Sequence, residues 1–308
     1  MKKVLKRITF YFLLLVVTIV TASAIATYLY QDELIDHFIR EANKSLNTPI
    51  QVEEISVSPF ENFPQVTLLF NDVVIEESYE NSSYPLLEAN KFEFTFNIWN
   101  LLEGQYIVEE VHITKAHCHL KVNEQGKINY NIIKAKGSKN KGKVAFNLSN
   151  VFLQEVDFKY SNETTSVNLD LKAEDASARL QVEGPQYNID AKGLFFIESI
   201  TVANRIWASE KDLNLEAAII YHDSLKSVNY SSEDFKLSNS KFMVNGFYDF
   251  QDTPKIDLKV SGKNTDIQTL LSLLSAKNRA RFEKYRSDGE VYFDLALKGE
   301  ISTKKAPA

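Results

Sequence analysis

The stretch Lys91-Phe92-Glu93-Phe94-Thr95-Phe96 decides the fold. Three phenylalanines alternate with polar residues, which is the period of a β-strand with one apolar face and one wetted face. The same period of two recurs in Val66-Leu68-Phe70, Cys118-Leu120-Val122, Val156-Phe158-Tyr160 and Val167-Leu169-Leu171. It returns in Phe242-Val244, Ile256-Leu258-Val260 and Val291-Phe293-Leu295-Leu297. Short polar or glycine-bearing turns at Gly126, Gly184, Gly246, Gly262 and Gly289 are expected to end such strands, which predicts an antiparallel meander.

Helix is expected in three places. Leu34, Ile35, Phe38, Ile39, Ala42 and Leu46 recur at helical spacing over 32–46, and Asn47 and Pro49 stop that run. Ile98 to Leu102 makes one short turn. Thr265 to Arg286 reads as a longer helix with Ile267, Leu270, Leu271, Leu274, Phe282 and Tyr285 on its apolar side.

Ahead of these elements, Ile8 to Tyr30 contains no charged side chain. At 1.5 Å per residue it would extend roughly 34 Å, enough to cross a hydrocarbon core of about 30 Å. Lys2, Lys3, Lys6 and Arg7 precede it and Asp32, Glu33 and Asp36 follow, so the expected orientation has the amino terminus in the cytoplasm and the body outside. Ala22-Ser23-Ala24 also satisfies the small-x-small rule of a cleaved signal peptide. The anchor is the preferred reading because apolar sequence continues past Ala24 to Tyr30.

The expected organisation is therefore a basic tail (1–7), a transmembrane helix (8–30), a helix with a first β-section (31–133), a linker (134–143) and a second β-section (144–308) carrying the helix over 265–286. The linker, Lys134 to Lys143, is basic and lacks apolar anchors.

Composition narrows the function. Removing the four N-terminal cations leaves 31 of the 35 basic residues against 41 acidic ones. The body thus carries about −10, the wrong sign for a nucleic-acid binder. The one cysteine, Cys118, excludes an intrachain disulfide framework. No nucleophile elbow, phosphate-binding loop, dinucleotide fingerprint or zinc-protease motif is present, so no enzymatic activity and no cofactor are expected. His117 and His119 share a strand face, with His112 nearby, but no acidic or cysteine partner stands at a ligand spacing, and they read as surface histidines rather than a metal site.

Several phrases together resemble the AsmA family of bacterial envelope proteins. They begin with the apolar segment and its following helix, leading to Leu46-Asn47-Thr48-Pro49-Ile50. Val66-Thr67-Leu68 through Asn71-Asp72-Val73-Val74-Ile75 is similar to the family's second strand. Leu101-Leu102-Glu103-Gly104, followed by Ile107 to Ile113, is similar to its turn and next strand. Gly126-Lys127-Ile128-Asn129-Tyr130 is similar to its glycine-x-x-asparagine-aromatic phrase, the most distinctive of the set. Ile256 to Gly262, then Asp266-Ile267, then Gly289-Glu290-Val291 is similar to a later strand–helix–strand unit.

The resemblance implies a mainly β, α+β protein: an N-terminal transmembrane helix, then a long, curved antiparallel β-sheet with an apolar concave face and a few covering helices. It also implies phospholipid as ligand, the inner membrane as anchorage through 8–30, a periplasmic body and a part in outer-membrane biogenesis, with other envelope proteins as further partners. A non-lipid-carrying assembly factor for outer-membrane proteins is the alternative. Family members commonly extend beyond the point where this chain stops, which reads as a fragment or a short paralogue.

A lipid groove needs apolar side chains at alternate positions on a backbone that stays paired. The candidate lining residues are Leu68, Phe70, Phe92, Phe94, Phe96, Phe158, Leu169, Phe242, Leu258 and Phe293. Alternation by itself fits an ordinary covered core as well. The shortage of helical sequence to cover so many strands, with the resemblance, favours the groove.

Overall fold

The computed structural model describes residues 50–58, 65–97, 105–132 and 144–300, apart from 239, 252 and 273–288, with single positions in 11–48, 99–103 and at Lys134. Four strands precede the 134–143 segment: β1 (Ile50–Ser58), β2 (Gln65–Glu76), β3 (Pro85–Asn97) and β4 (Tyr106–Val122). Eight follow it: β5 (Val144–Asn162), β6 (Val167–Glu183), β7 (Gln186–Val202), β8 (Arg205–His222), β9 (Ser227–Leu237), β10 (Ser240–Asp249), β11 (Lys255–Asp266) and β12 (Glu290–Glu300). All twelve lie side by side in chain order in one open, curved sheet.

The expected all-antiparallel meander is corrected at one place. β4 and β5 pair in parallel, Tyr106 opposite Val144 and Val122 opposite Asn162. A tight turn can only join antiparallel neighbours, whereas the connection 123–143 is long enough to bring the chain back to the edge where β4 began. The sheet therefore has a near edge, where β1 starts, and a far edge, where β12 ends. The sheet runs on unbroken across the 134–143 segment.

Gly246 and Gly262 were expected in turns and instead lie inside β10 and β11. Close approach explains Gly262, where a Cβ would overlap the Thr265 hydroxyl and the Phe293 ring. The expected helix over 265–286 is corrected at its start, because β11 runs on to Asp266 and α1 occupies Ile267–Ser272. Asp266 caps it, accepting from the backbone N–H groups of Gln268 and Thr269 at 3.3 and 3.0 Å. The remainder of that expected helix, including Phe282 and Tyr285, lies outside the described residues.

The described positions 35, 36, 39, 40, 43 and 44 are helical, as their spacing predicts, and Asn43 accepts from the Ile50 N–H at 3.1 Å. Of the apolar segment 8–30, only Tyr11 and Thr18 are described, and both are helical. No helix among the described residues is long and apolar enough to cross a membrane.

One line across the sheet gives it an unusual internal order. At Glu53, Asp72, Asn90, Lys115, Glu155 and Glu174 the pairing of β1 to β6 skips one residue per strand, each opposite the next. Asp72, Lys115 and Glu155 there adopt left-handed φ values of 51°, 52° and 53°. Such a residue turns the pleat, so side chains on either side of it change phase. The core follows: its members step by three rather than two, from Phe70 to Val73, Ala89 to Phe92, Ile113 to Ala116, Leu153 to Val156 and Ala173 to Ala176. Because every strand makes the step at the same level, the apolar residues stay on one face.

Gly193 of β7 shows how closely the backbones approach beside this line. A Cβ at that position would stand 2.5 Å from Ala176 Cβ, 2.6 Å from its Cα and 2.7 Å from the Asp175 carbonyl oxygen. The obstacles are short or backbone atoms and have no flexible end to swing away. Gly193→Ala is therefore expected to cost about 1–3 kcal/mol in urea unfolding. Unchanged stability would mean that β6 and β7 separate freely at this point.

Candidate functional site: one apolar face over twelve strands

Register places all ten candidate lining residues on one face of the sheet. Leu68 stands opposite Phe94, and Phe70 opposite Phe92. Phe158 pairs with Cys118 and Leu171, Leu169 with Tyr160 and Ile200. Phe242 pairs with Phe235 and Gly262, and Gly262 in turn with Phe293. Leu258 lies between Gly246 and Leu297.

The ten do not share one environment. Leu68, Phe70 and Phe96 are each 1% exposed and belong to a packed cluster with Phe92, Phe94, Val108 and Val156. The Phe70 and Phe94 rings meet edge to face at 5.2 Å, and Phe92 stacks on Phe94 at 5.0 Å. Ile35 and Ile39 of the N-terminal helical positions, and Ile132, pack on this cluster. Phe158 is half-buried at its margin. Phe242 belongs to a second cluster with Ile197, Ala208 and Leu237, against which Phe293 and Leu270 of α1 pack. Leu169 and Leu258 are half-buried and outside both clusters.

A third region of the same face contains residues that alternation did not single out. On the far-edge half of β6 to β12, register aligns Leu180, Ile189, Ile219, Tyr230, Gly246, Leu258 and Leu297 in one row across seven strands. A row nearer the edge runs Val182, Tyr187, Tyr221, Val228, Tyr248 and Ile256. Ala178, Ala191 and Ala217 stand on the inner side of the first row. Leu180, Ile189, Ile219 and Tyr230 are half-buried and belong to neither cluster, and Val182 is 51% exposed. Burial lifts the Tyr230 hydroxyl above its ordinary pKa, against a hydrogen bond from Ser232 that lowers it. Of this region alternation shows only Ile256, Leu258 and Leu297, with Leu258 among the ten candidates, because three of its other positions are alanine and one is glycine, and small side chains blur the period.

The opposite face is polar. His117 Nδ1 lies 3.0 Å from Asp157, His112 Nε2 lies 3.6 Å from Glu110, and His119 Nε2 lies 3.5 Å from Ser161 Oγ. Burial first, then the nearby Lys121 and Lys159 charges, hold the His119 imidazole below its usual pKa. Among the described residues no group of three histidine, cysteine or acidic side chains could hold a metal ion. A cavity of about 1040 Å³ opens on this face, walled in part by Arg179, Asp190, Lys192, Glu216, Lys241 and Lys263. Cys118 is on the apolar face, where burial pushes its thiol up to about 11.

A buried polar clasp closes the near edge beside the first cluster. Asn129 has no solvent exposure. Its Nδ2 donates to Glu77 Oε2 at 3.0 Å and to the His119 carbonyl at 2.9 Å, while its Oδ1 accepts from the Lys121 N–H at 2.7 Å. Lys121 Nζ reaches Glu77 at 3.0 Å, and Ser82 Oγ donates to the same carboxylate. Gly126, at φ 76°, makes the turn that returns the chain to this point. This gives the glycine-x-x-asparagine phrase a physical meaning: it ties the 123–132 loop to the β2–β3 turn.

Burial alone raises the Glu77 pKa, but the hydrogen bonds from Ser82, Asn129 and Lys121, with the Lys121 charge, outweigh it and bring the group below its ordinary 4.5. A depressed folded-state pKa contributes stability above the unfolded value, lost as pH falls through the folded one. The stability advantage of the native chain over Glu77→Gln is thus expected to hold at neutral pH and shrink below about pH 4.5. Chemical denaturation across that range checks it. An advantage independent of pH would mean that Glu77 is not ionised in the clasp.

The geometry defines a class: a single open β-sheet whose strands carry one apolar face, partly sealed and partly half-exposed, and one polar face. The AsmA family model matches residues 1–262, and the chain belongs to the AsmA family. No curated protein and no solved structure matches it significantly.

Proposed function

We propose that the chain is a membrane-anchored envelope protein that binds or conducts phospholipid along the apolar face of its sheet, in support of outer-membrane biogenesis. The observation that carries this reading is the row of half-buried apolar side chains on one face of β6 to β12, Leu180, Ile189, Ile219, Tyr230, Leu258 and Leu297, which belong to neither packed cluster. Each buried CH₂ is worth about 0.8 kcal/mol, so a sixteen-carbon chain leaving a bilayer needs roughly 12 kcal/mol of replacement apolar surface. A half-exposed apolar face on a hydrogen-bonded sheet supplies such surface. In this reading the protein is not an enzyme.

The uncharged 8–30 segment, with cations before it and acids after it, supports anchorage in the inner membrane, the amino terminus cytoplasmic and the sheet periplasmic. Protease added to intact spheroplasts should degrade the sheet and spare an N-terminal tag. Native mass spectrometry of the full chain, purified in mild detergent, should show retained phospholipid. A spectrum of lipid-free protein under conditions that keep lipid on a known carrier counts against the reading.

The second reading is an assembly scaffold that carries no lipid, favoured by the charged cavity on the polar face. It predicts that substitutions at Lys192 and Lys241 abolish function in cells while substitutions at Ile189 and Ile219 do not.

A further inference from the structure

The apolar face is not equally available along its length. Over β1 to β4 it is filled: Leu68, Phe70 and Phe96 are 1% exposed, Val108 is fully buried, and Ile35, Ile39 and Ile132 pack on them. On the near-edge half of β6 to β12 the second cluster, with Leu270 of α1, fills it again. The far-edge half of β6 to β12 remains half-exposed: these clusters bound two of its sides, the terminal strand β12 forms a third, and the far edge is open.

That open side is a built rim. The turns after β6, β8 and β10 are tied together: the Asp223 N–H donates to the Pro185 carbonyl at 2.9 Å, the Phe250 N–H to Lys226 at 2.7 Å, and Gln251 Nε2 to Leu225 at 3.1 Å. Leu225 and Phe250, each 55% exposed, project from two of these turns. Just inside stand Tyr187 and Tyr221, rings 5.9 Å apart, and Tyr248 against Phe250 at 4.6 Å. Apolar tips backed by phenols reproduce the gradient of a membrane interface.

We infer that the acyl chains of the bound phospholipid enter over this rim and lie in the far-edge quadrant of β6 to β12, while the face of β1 to β4 takes none. The inference rests on the lipid reading above and places its site. Dimensions agree with the occupant. Three rows of side chains along the strands span about 13 Å, close to the roughly 15 Å of one leaflet's hydrocarbon. Seven strands at about 4.8 Å spacing span about 29 Å, room for two chains side by side. Ala178, Ala191 and Ala217 give depth at the inner end, where the chain termini would stop against the clusters.

The test uses the full chain in mild detergent with the photocrosslinker p-benzoylphenylalanine at Tyr221 or Tyr248, and separately at Phe92 or Phe94, all aromatic-for-aromatic exchanges. Lipid retention is read by native mass spectrometry and adducts by intact mass. Lipid adducts at Tyr221 and Tyr248, with none at Phe92 and Phe94, are expected. Retained lipid with adducts at Phe92 and Phe94 equal to or above those at Tyr221 and Tyr248 overturns the placement and leaves the lipid reading standing. No retained lipid overturns both. Ile219→Lys gives an independent readout at a half-buried position: retained lipid should fall about tenfold or more with the thermal transition unchanged. Undiminished retention in that variant also overturns the placement.

Discussion

Phe70→Ala lowers the unfolding free energy by about 3–5 kcal/mol, the range for deleting a phenyl ring from a filled interior. The ring is 1% exposed, meets Phe94 edge to face, and has Phe92 and Ile55 as cross-strand partners. Neighbouring backbones are fixed in a ladder on both sides, so they cannot close over the vacated volume. Phe70→Leu leaves most of the volume occupied and costs about 1–2 kcal/mol. Leu180→Ala, at a half-buried site in the open quadrant, costs about 1 kcal/mol or less, because its side chain has less contact to lose. Urea unfolding of the three variants separates the two environments. Equal losses at Phe70 and Leu180 would mean that the first cluster is as open as the quadrant, and the boundary of the proposed site would disappear with the difference.

Asn129→Asp is the second large effect, about 2–5 kcal/mol, from a change of a single atom's chemistry. The Oδ1 that accepts from the Lys121 N–H is preserved. The amide that donates to Glu77 and to the His119 carbonyl becomes an acceptor, so two hydrogen bonds turn into repulsive contacts at 3.0 and 2.9 Å. The introduced carboxyl is buried beside a carboxylate, and both circumstances raise its folded-state pKa. A raised pKa means the deficit is full where the introduced carboxyl is ionised and diminishes as it protonates, so the gap to the native chain narrows as pH falls from neutral. Asn129→Ser, which removes the amide without adding charge, shows no such narrowing. Stability–pH profiles of the two variants distinguish loss of a hydrogen bond from insertion of a charge.

How much of this could be read from the chain depends on where the strand period is clean. Around Phe92, Phe94 and Phe96 the alternation is unbroken, and both the strand and the apolar face follow from it. In β4 alternation shows only Cys118, Leu120 and Val122, and Ile107 to Ile113 reads as strand only through the family resemblance, because the phase changes at Lys115 within one strand that runs from Tyr106. The same step at Glu155 and Glu174 divides β5 and β6 into pieces of opposite phase. In β7 and β8 the apolar face carries Ala191, Gly193 and Ala217, while Leu194 and Ile220 point to the polar face and are 47% and 39% exposed. A hydrophobicity pattern there points both ways. In the sequence Asn129 is only part of a phrase, whereas its burial depends on Glu77, 52 residues away in the β2–β3 turn, together with the nearer His119 carbonyl.

By itself the sequence determined that this is a β protein with an apolar face, that its N-terminal segment is apolar enough to span a bilayer, and that its order of motifs is that of the AsmA family. These properties are local or additive: the period of two, an uncharged run, short phrases in a fixed order. The tertiary structure alone decided that β4 and β5 are parallel, that six strands change phase at one level, and that the face around Phe70, Phe94 and Phe96 is filled while that around Leu180, Ile189 and Ile219 is half-exposed. Each of these depends on which distant residues stand opposite or above one another. Alternation specifies the side of a sheet on which a residue lies, but what covers that side is set by packing between segments far apart in the chain.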